Sequence, residues 1–369
     1  MPAATAVTGP PVRRYGGFRD AVDAIACYAV SLQTQATERR SRGLSVSDQD
    51  YSEEAFCLTP PGAARHPLVL IGGMGPLAGA LAFRKACERF CDSRTTVLYQ
   101  ACSVPDRTPA ILADGGTRFS PISLEMGRHL ASAVKEAVGL LPQVPGRVDC
   151  VLACNSAHYF WEPLKISLAG SPDLHRRLNL ISIVQSSFRA LRAAACGRVL
   201  LLCTQGARIG GIFSGAAAES GVRFGEPGPE LDRLLMRAIY DGVKSLDEDR
   251  AVEFGTQFFE GVLRHMGDFD CILAGCTELP AIIELLKGRG TPAVKAFLSR
   301  VTVVDPLDAA LDVGAEDPCS AESEFCNPAV GTTLTRPMEN MTAAGVMPPG
   351  AADPGRRLGG ALEESRFGF

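Results

Sequence analysis

No basic stripe, no long apolar run and no excess of either charge marks these 369 residues, and each absence removes a class of function. The 37 lysines and arginines against 41 aspartates and glutamates give a formal charge of −4 spread along the chain, without the basic track that a phosphate backbone requires. Nucleic acid is therefore not an expected partner, and nothing in the sequence reads as fibrous or as spanning a membrane. The first 19 residues contain no acid and carry Arg13, Arg14 and Arg19, yet they lack the apolar core of a secretory signal. A poorly ordered terminus is the expectation there, with an organelle address as the alternative. A disulfide framework is missing too: the thirteen cysteines are odd in number and sit mostly inside apolar patterns, which fits a reducing, cytoplasmic setting.

What is present has an α/β grammar. Short apolar runs at Leu68–Ile71, Thr95–Tyr99, Asp149–Ala153, Leu178–Ile183, Arg198–Cys203, Asp270–Ala274 and Val301–Val304 do not alternate, as expected of parallel strands covered on both faces. Between them, helical spacing runs over Pro76–Cys91, Pro121–Val138, Pro229–Lys244, Asp247–His265 and Glu278–Leu286, three of which begin at proline. This pattern predicts two similar doubly wound lobes with parallel sheets and a cleft at the carboxyl ends of their strands. The expected order is an N-terminal extension, partly helical, over residues 1–65; a first lobe over 66–185, completed by 300–315; a second lobe over 186–299; and a mostly disordered tail over 316–369.

Two features carry chemistry. Leu68–Ile71 runs into Gly72-Gly73-Met74-Gly75-Pro76, a strand, a glycine loop and a helix start. Such a loop suits a small carboxylate, a nucleotide phosphate or a purely structural turn. It also satisfies G-x-G-x-x-A, but the second strand ends without the acidic residue that a dinucleotide ribose needs, and no Gly-Lys-Ser/Thr follows. The second feature is a near-repeat: Asp149-Cys150-Val151-Leu152-Ala153-Cys154-Asn155 and Asp270-Cys271-Ile272-Leu273-Ala274-Gly275-Cys276-Thr277 each put a cysteine just past a buried strand. Two equivalent thiols, one per half, suggest an acid and a base on opposite faces of one carbon, hence racemisation or epimerisation. A zinc site built from Cys150, Cys154 and His158 fails on geometry, because four-residue spacing aligns ligands only on a helix and Cys150 falls in a strand. His158 and Glu278 are candidates for orienting or polarising the thiols, or for helix starts.

The segments Ile71-Gly72-Gly73-Met74-Gly75-Pro76, Pro105-Asp106-Arg107-Thr108, Cys154-Asn155-Ser156-Ala157-His158, Ile239-Tyr240-Asp241-Gly242-Val243-Lys244 and Gly275-Cys276-Thr277-Glu278-Leu279-Pro280 together resemble the aspartate/glutamate racemase superfamily, and its aspartate racemase branch most closely. The resemblance spans about residues 66–310. It implies a cofactor-independent isomerase without a metal, often a homodimer, that interconverts the enantiomers of a small acidic amino acid such as aspartate. By the same resemblance Cys154 and Cys276 are the acid/base thiols, serving the D- and L-enantiomers respectively. Arg107 and Lys244 grip the side-chain carboxylate, and Met74, Asn155, Ser156 and Thr277 surround the α-carboxylate and amine. Taken without the resemblance, Arg107 reads as a loop residue and Lys244 as a solvated helix end.

Two positions depart from the family pattern. Gly206-Ala207 stands where Gly-Thr is usual, with Thr204 or Ser214 as replacement hydroxyls, and Asp305-Pro306 stands where Ser or Thr often follows the Asp. Rival functions are a lyase or isomerase of the same superfamily acting on a small dicarboxylic acid, a nicotinamide-dependent oxidoreductase, and a catalytically silent binding protein.

Overall fold

The computed structural model describes residues 9–142, 146–215, 217 and 221–313; the expected tail over 316–369 lies outside them. Ten strands among the described residues form two sheets. The first has the order β1 (Val12–Tyr15), β2 (Glu54–Leu58), β4 (Arg94–Gln100), β3 (Arg65–Gly72), β5 (Val148–Leu152), β6 (Leu178–Ile181). The second has the order β10 (Thr302–Val304), β9 (Cys271–Gly275), β7 (Arg198–Cys203), β8 (Arg223–Gly225). Strands β3, β4, β5, β7 and β9 are buried along nearly their whole length, which is why their sequences are mostly apolar rather than alternating, with the polar residues of β4 and β5 buried too. Every pairing is parallel except that of β2 with β4.

That exception comes from the first 65 residues. The helical part of this segment is Phe18–Ser41, which buries Ile25, Tyr28, Leu32 and Ala36; the Tyr28 ring lies 5.0 Å from Phe56 on β2. Strands β1 and β2 add to the β4 edge of the first sheet, so this segment is built into the first lobe. Neither strand announces itself in sequence. Val12–Tyr15 is four residues long with two arginines, and Glu54–Leu58 is five residues flanked by charge and by Pro60-Pro61.

The helix Ile183–Ala193, whose first turn is capped by the Ser182 hydroxyl, carries the chain from β6 to β7. The helix that starts at Pro229 does not continue uniformly to Lys244: Pro229–Arg237 is α-helical, and Ala238–Val243 widens into π-helical turns immediately before Lys244. Such widenings commonly serve to place one side chain. At the far end of the fold β10 pairs with β9, and the following helix Pro306–Val313 packs on Ile183–Ala193 and on Pro76–Phe90. Lys85 on Pro76–Phe90 binds Asp305 at 2.7 Å and Asp308 at 2.8 Å. Pro306 is thus the first residue of a helix and Asp305 its cap, accepting from the Leu307 amide.

One buried ion pair spans the first sheet. Arg94, at the start of β4 and 1% exposed, donates to the Asp149 carboxylate on β5 and to the His66 carbonyl. Asn179 on β6 donates to the other Asp149 oxygen at 2.7 Å.

Candidate active site

The carboxyl ends of β5 and β9 carry the two thiols. Cys154 lies two residues past β5 and Cys276 directly past β9, both buried and both lining one cavity at the junction of the lobes. Met74, Arg107, Asn155, Ser156, Lys244, Thr277 and Glu278 line the same cavity. His158 does not. Sequence reading overlooked Thr108 and Tyr240, which line it too and meet at 3.2 Å between their hydroxyls.

The glycine turn brings the first lobe to this point. At Gly73, φ is +82° and a Cβ would lie 2.3 Å from the Ala101 nitrogen; at Gly75, φ is +137° and a Cβ would lie 2.2 Å from Glu278 Oε1. Only glycine satisfies both the dihedral and the space. The close approach at Gly75 lets Glu278, from the second lobe, reach the turn that follows β3.

Glu278 also controls Cys276. The thiol donates to Glu278 Oε2 at 2.9 Å, and the Thr277 hydroxyl donates to the same oxygen at 3.2 Å. Burial pushes the Cys276 thiol pKa well up, and the Glu278 charge and hydrogen bond push it further, against a smaller opposing effect of Lys244. Both effects favour the protonated thiol at Cys276.

Several buried polar atoms around the cavity have no hydrogen-bond partner among the described residues: both amide atoms of Asn155, Arg107 Nε and Glu278 Oε1. Buried polar groups are almost always satisfied, and this set offers donors to an anion and acceptors to an ammonium. Thr204 supplies a hydroxyl beside them, 3.2 Å from Ser156 Oγ, while its oxygen also caps the turn at Ala207. Thr204 rather than Ser214 lines the cavity, and neither Ala207 nor Pro306 does.

His158 acts elsewhere. Its Nδ1–H donates to the Cys154 carbonyl at 2.9 Å, and its ring stacks on Trp161 at 4.8 Å. It thus holds the backbone after β5 and makes no hydrogen bond to a thiol. Burial pulls its pKa down to about 4, outweighing the hydrogen bonds that favour the charged ring. In the unfolded chain the value is about 6.5, so as pH falls through this interval the unfolded state gains a proton that the folded state refuses. The folded protein should lose on the order of 3 kcal/mol between pH about 6.5 and about 4 from this group. Urea melts across that range should show the loss, and His158→Phe should remove most of that slope.

The two cations are not free. Arg107, at the start of the helix Arg107–Asp114, donates through Nη2 to the Met74 carbonyl at 2.8 Å and to Asp48 Oδ2 at 2.9 Å. Lys244 Nζ donates to the same Asp48 oxygen at 2.9 Å and stands 3.9 Å from Glu278 Oε1. Burial by itself would lower the pKa of both cations. Cys154 and Asp48 more than reverse this for Arg107, as Asp48 and Glu278 do for Lys244, so both stay charged. Burial conversely opposes ionisation of Asp48, and the two cations overcome it and hold the carboxylate below its usual range. Asp48 was not legible as a site residue; Ser47-Asp48-Gln49-Asp50 signals only a capped turn.

The cavity that both cysteines line measures about 10 Å³, room for about one water molecule.

A family model described as Asp/Glu/Hydantoin racemase matches residues 71–313 of the chain. Among solved structures, the chain is similar to the Picrophilus torridus aspartate racemase, at 19% identity and a TM-score of 0.49 over 68% of this chain and 92% of that one. It is also similar to glutamate racemase isoform RacE1 of Bacillus anthracis, at 17% identity and a TM-score of 0.40 over 69% and 81%. The maleate isomerase Iso of Pseudomonas putida S16 matches at 14% identity and a TM-score of 0.35 over 67% and 89%. The extent of the family match settles the classification: the chain belongs to the Asp/Glu/hydantoin racemase family.

Proposed function

We propose that this protein is a cofactor-independent racemase that inverts the α-carbon of a small acidic amino acid, aspartate foremost, by proton transfer between Cys154 and Cys276. The observation that carries the reading is the pair of cysteines, one from each lobe, lining one cavity whose wall holds the unpartnered Asn155 amide. In this reading Cys276, held protonated beside Glu278, donates to one face of Cα while Cys154 removes the proton from the other, which is the D-to-L direction. Asn155, Ser156 and Thr277 orient the α-carboxylate and ammonium beside Met74, and Arg107 and Lys244 take the distal carboxylate. A Cα–H is far less acidic than a thiol, so fixed donors at the α-carboxylate and exclusion of water must supply much of the stabilisation of the carbanionic transition state. In this reading the protein acts in the cytoplasm and pairs with a second copy of itself, the pairing supported by exposed apolar side chains at Leu112, Phe119, Ile122 and Leu124.

Purified protein without pyridoxal phosphate or added metal should interconvert L- and D-aspartate on chiral chromatography and, in D₂O, exchange Cα–H for deuterium. Absence of both inversion and exchange across the common amino acids would overturn the reading.

A further inference from the structure

The Arg107–Lys244 pair has the composition of a grip for a substrate's second carboxylate, and a carboxylate is already in it. Asp48 comes from outside residues 71–313, the part of the chain that the family model covers. A single oxygen of Asp48 bridges both cations at 2.9 Å, as a distal carboxylate would. Its turn is pinned in place: the Ser47 amide donates to Asp50 at 2.7 Å, Arg39 pairs with Asp50 at 2.9 Å and donates to the Ser45 carbonyl, and Arg40 reaches the Leu246 carbonyl of the second lobe at 3.1 Å.

We propose that Asp48 is a specificity-determining residue: a tethered carboxylate that occupies the distal-carboxylate grip, so that a dicarboxylic substrate binds there only by displacing it. The proposal rests on the racemase reading above and adds which substrates the site admits. Charge decides between displacement and co-binding. Arg107 and Lys244 already face Asp48, Glu278 and Asp106, so a further carboxylate bound beside Asp48 would be a buried charge without a counter-ion, which is strongly unfavourable. Exchange of one carboxylate for another leaves the balance intact and costs only the opening of the turn.

Space for the displaced group exists on its outer side. A second cavity of about 360 Å³ is lined by Arg40, Ser45, Ser47, Asp48, Lys244 and Arg250, and Arg40 Nη1 there is buried with no hydrogen-bond partner. Asp48 leaving Lys244 therefore finds a second guanidinium within the same cavity. A tethered ligand competes at an effective concentration on the order of millimolar or more, so aspartate below that level is held back. An amino acid with a short side chain and no second carboxylate has no such competitor.

The test compares wild type with Asp48→Asn, using aspartate and alanine as substrates and succinate as a non-reacting dicarboxylate probe. Asp48→Asn should bind succinate at least tenfold tighter by calorimetry and lower KM for aspartate by a similar factor, with KM for alanine moving less than about twofold. Unchanged or weaker succinate binding and an unchanged aspartate KM would overturn the proposal. If Asp48→Asn does not fold by circular dichroism, Asp50→Asn keeps the carboxylate but unpins its turn. It should tighten succinate by a smaller factor of at least twofold, and no tightening overturns the proposal. Tighter succinate binding without Cα exchange in any variant would retain Asp48 as the gate and remove the racemase reading, whereas exchange with no change in KM would do the reverse.

Discussion

Cys154→Ala and Cys276→Ala should each lower racemisation by about 10³-fold or more, because inversion needs a base on one face of Cα and an acid on the other, and a positioned acid or base contributes roughly 10² to 10⁴. Neither change should unfold the protein. Both cysteines line the cavity and each change removes a single sulfur, so thermal melts should remain cooperative. The two variants should differ in what survives. Cys154→Ala retains slow Cα–deuterium exchange for the L-enantiomer only, and Cys276→Ala for the D-enantiomer only, read by NMR on each enantiomer separately. Cys276→Ala also removes one of two donors to Glu278 Oε2, leaving the Thr277 hydroxyl there. Full turnover in the double variant would eliminate the two-thiol mechanism.

The largest effect on stability is expected at Asp149. Asp149→Ala should cost about 3 to 5 kcal/mol, because removing one partner of a buried ion pair leaves the other charge in low dielectric. Here that charge is Arg94, 1% exposed, held from another strand of the same sheet. The Asn179 amide loses its acceptor at the same time. Urea unfolding at pH 7 measures the loss. Pairing Asp149→Leu with Arg94→Met should recover most of it, since apolar side chains of similar size often replace such a pair without penalty. A cost under 1 kcal/mol for Asp149→Ala would show that water reaches Arg94.

The strands and the two thiols were legible in the sequence because they follow rules that act locally. Runs such as Asp149–Ala153 and Asp270–Ala274 must be apolar on both faces to sit inside a parallel sheet, and the cysteine at the end of each is read directly from the repeat. Met74, Arg107 and Lys244 were readable only through the resemblance, since nothing in a Pro-Asp-Arg-Thr turn or at a helix end says that the cation is buried. Asp48 was not readable by either route. Its role depends on β2 entering the sheet antiparallel beside β4, a non-local pairing, and on a polar turn whose residues have the composition of a solvated loop. The π-helical turns at Ala238–Val243 were invisible for a related reason: their residues have ordinary helical spacing, and nothing in that spacing marks the wider form.

The antiparallel seat of β2 also has a consequence for synthesis. On the ribosome the turn bearing Asp48 emerges early, yet β2 has only the short β1 to pair with until residues 94–100 have been translated, a delay of several seconds at roughly 5 to 20 residues per second. Arg107 follows at once, and Lys244 only after well over a hundred further residues. Throughout that interval the half-made protein carries a guanidinium destined for burial, with Asp48 and Asp106 as countercharges within the first lobe. On the proposal above, Asp48 would then shield that guanidinium until the second lobe arrives with Lys244.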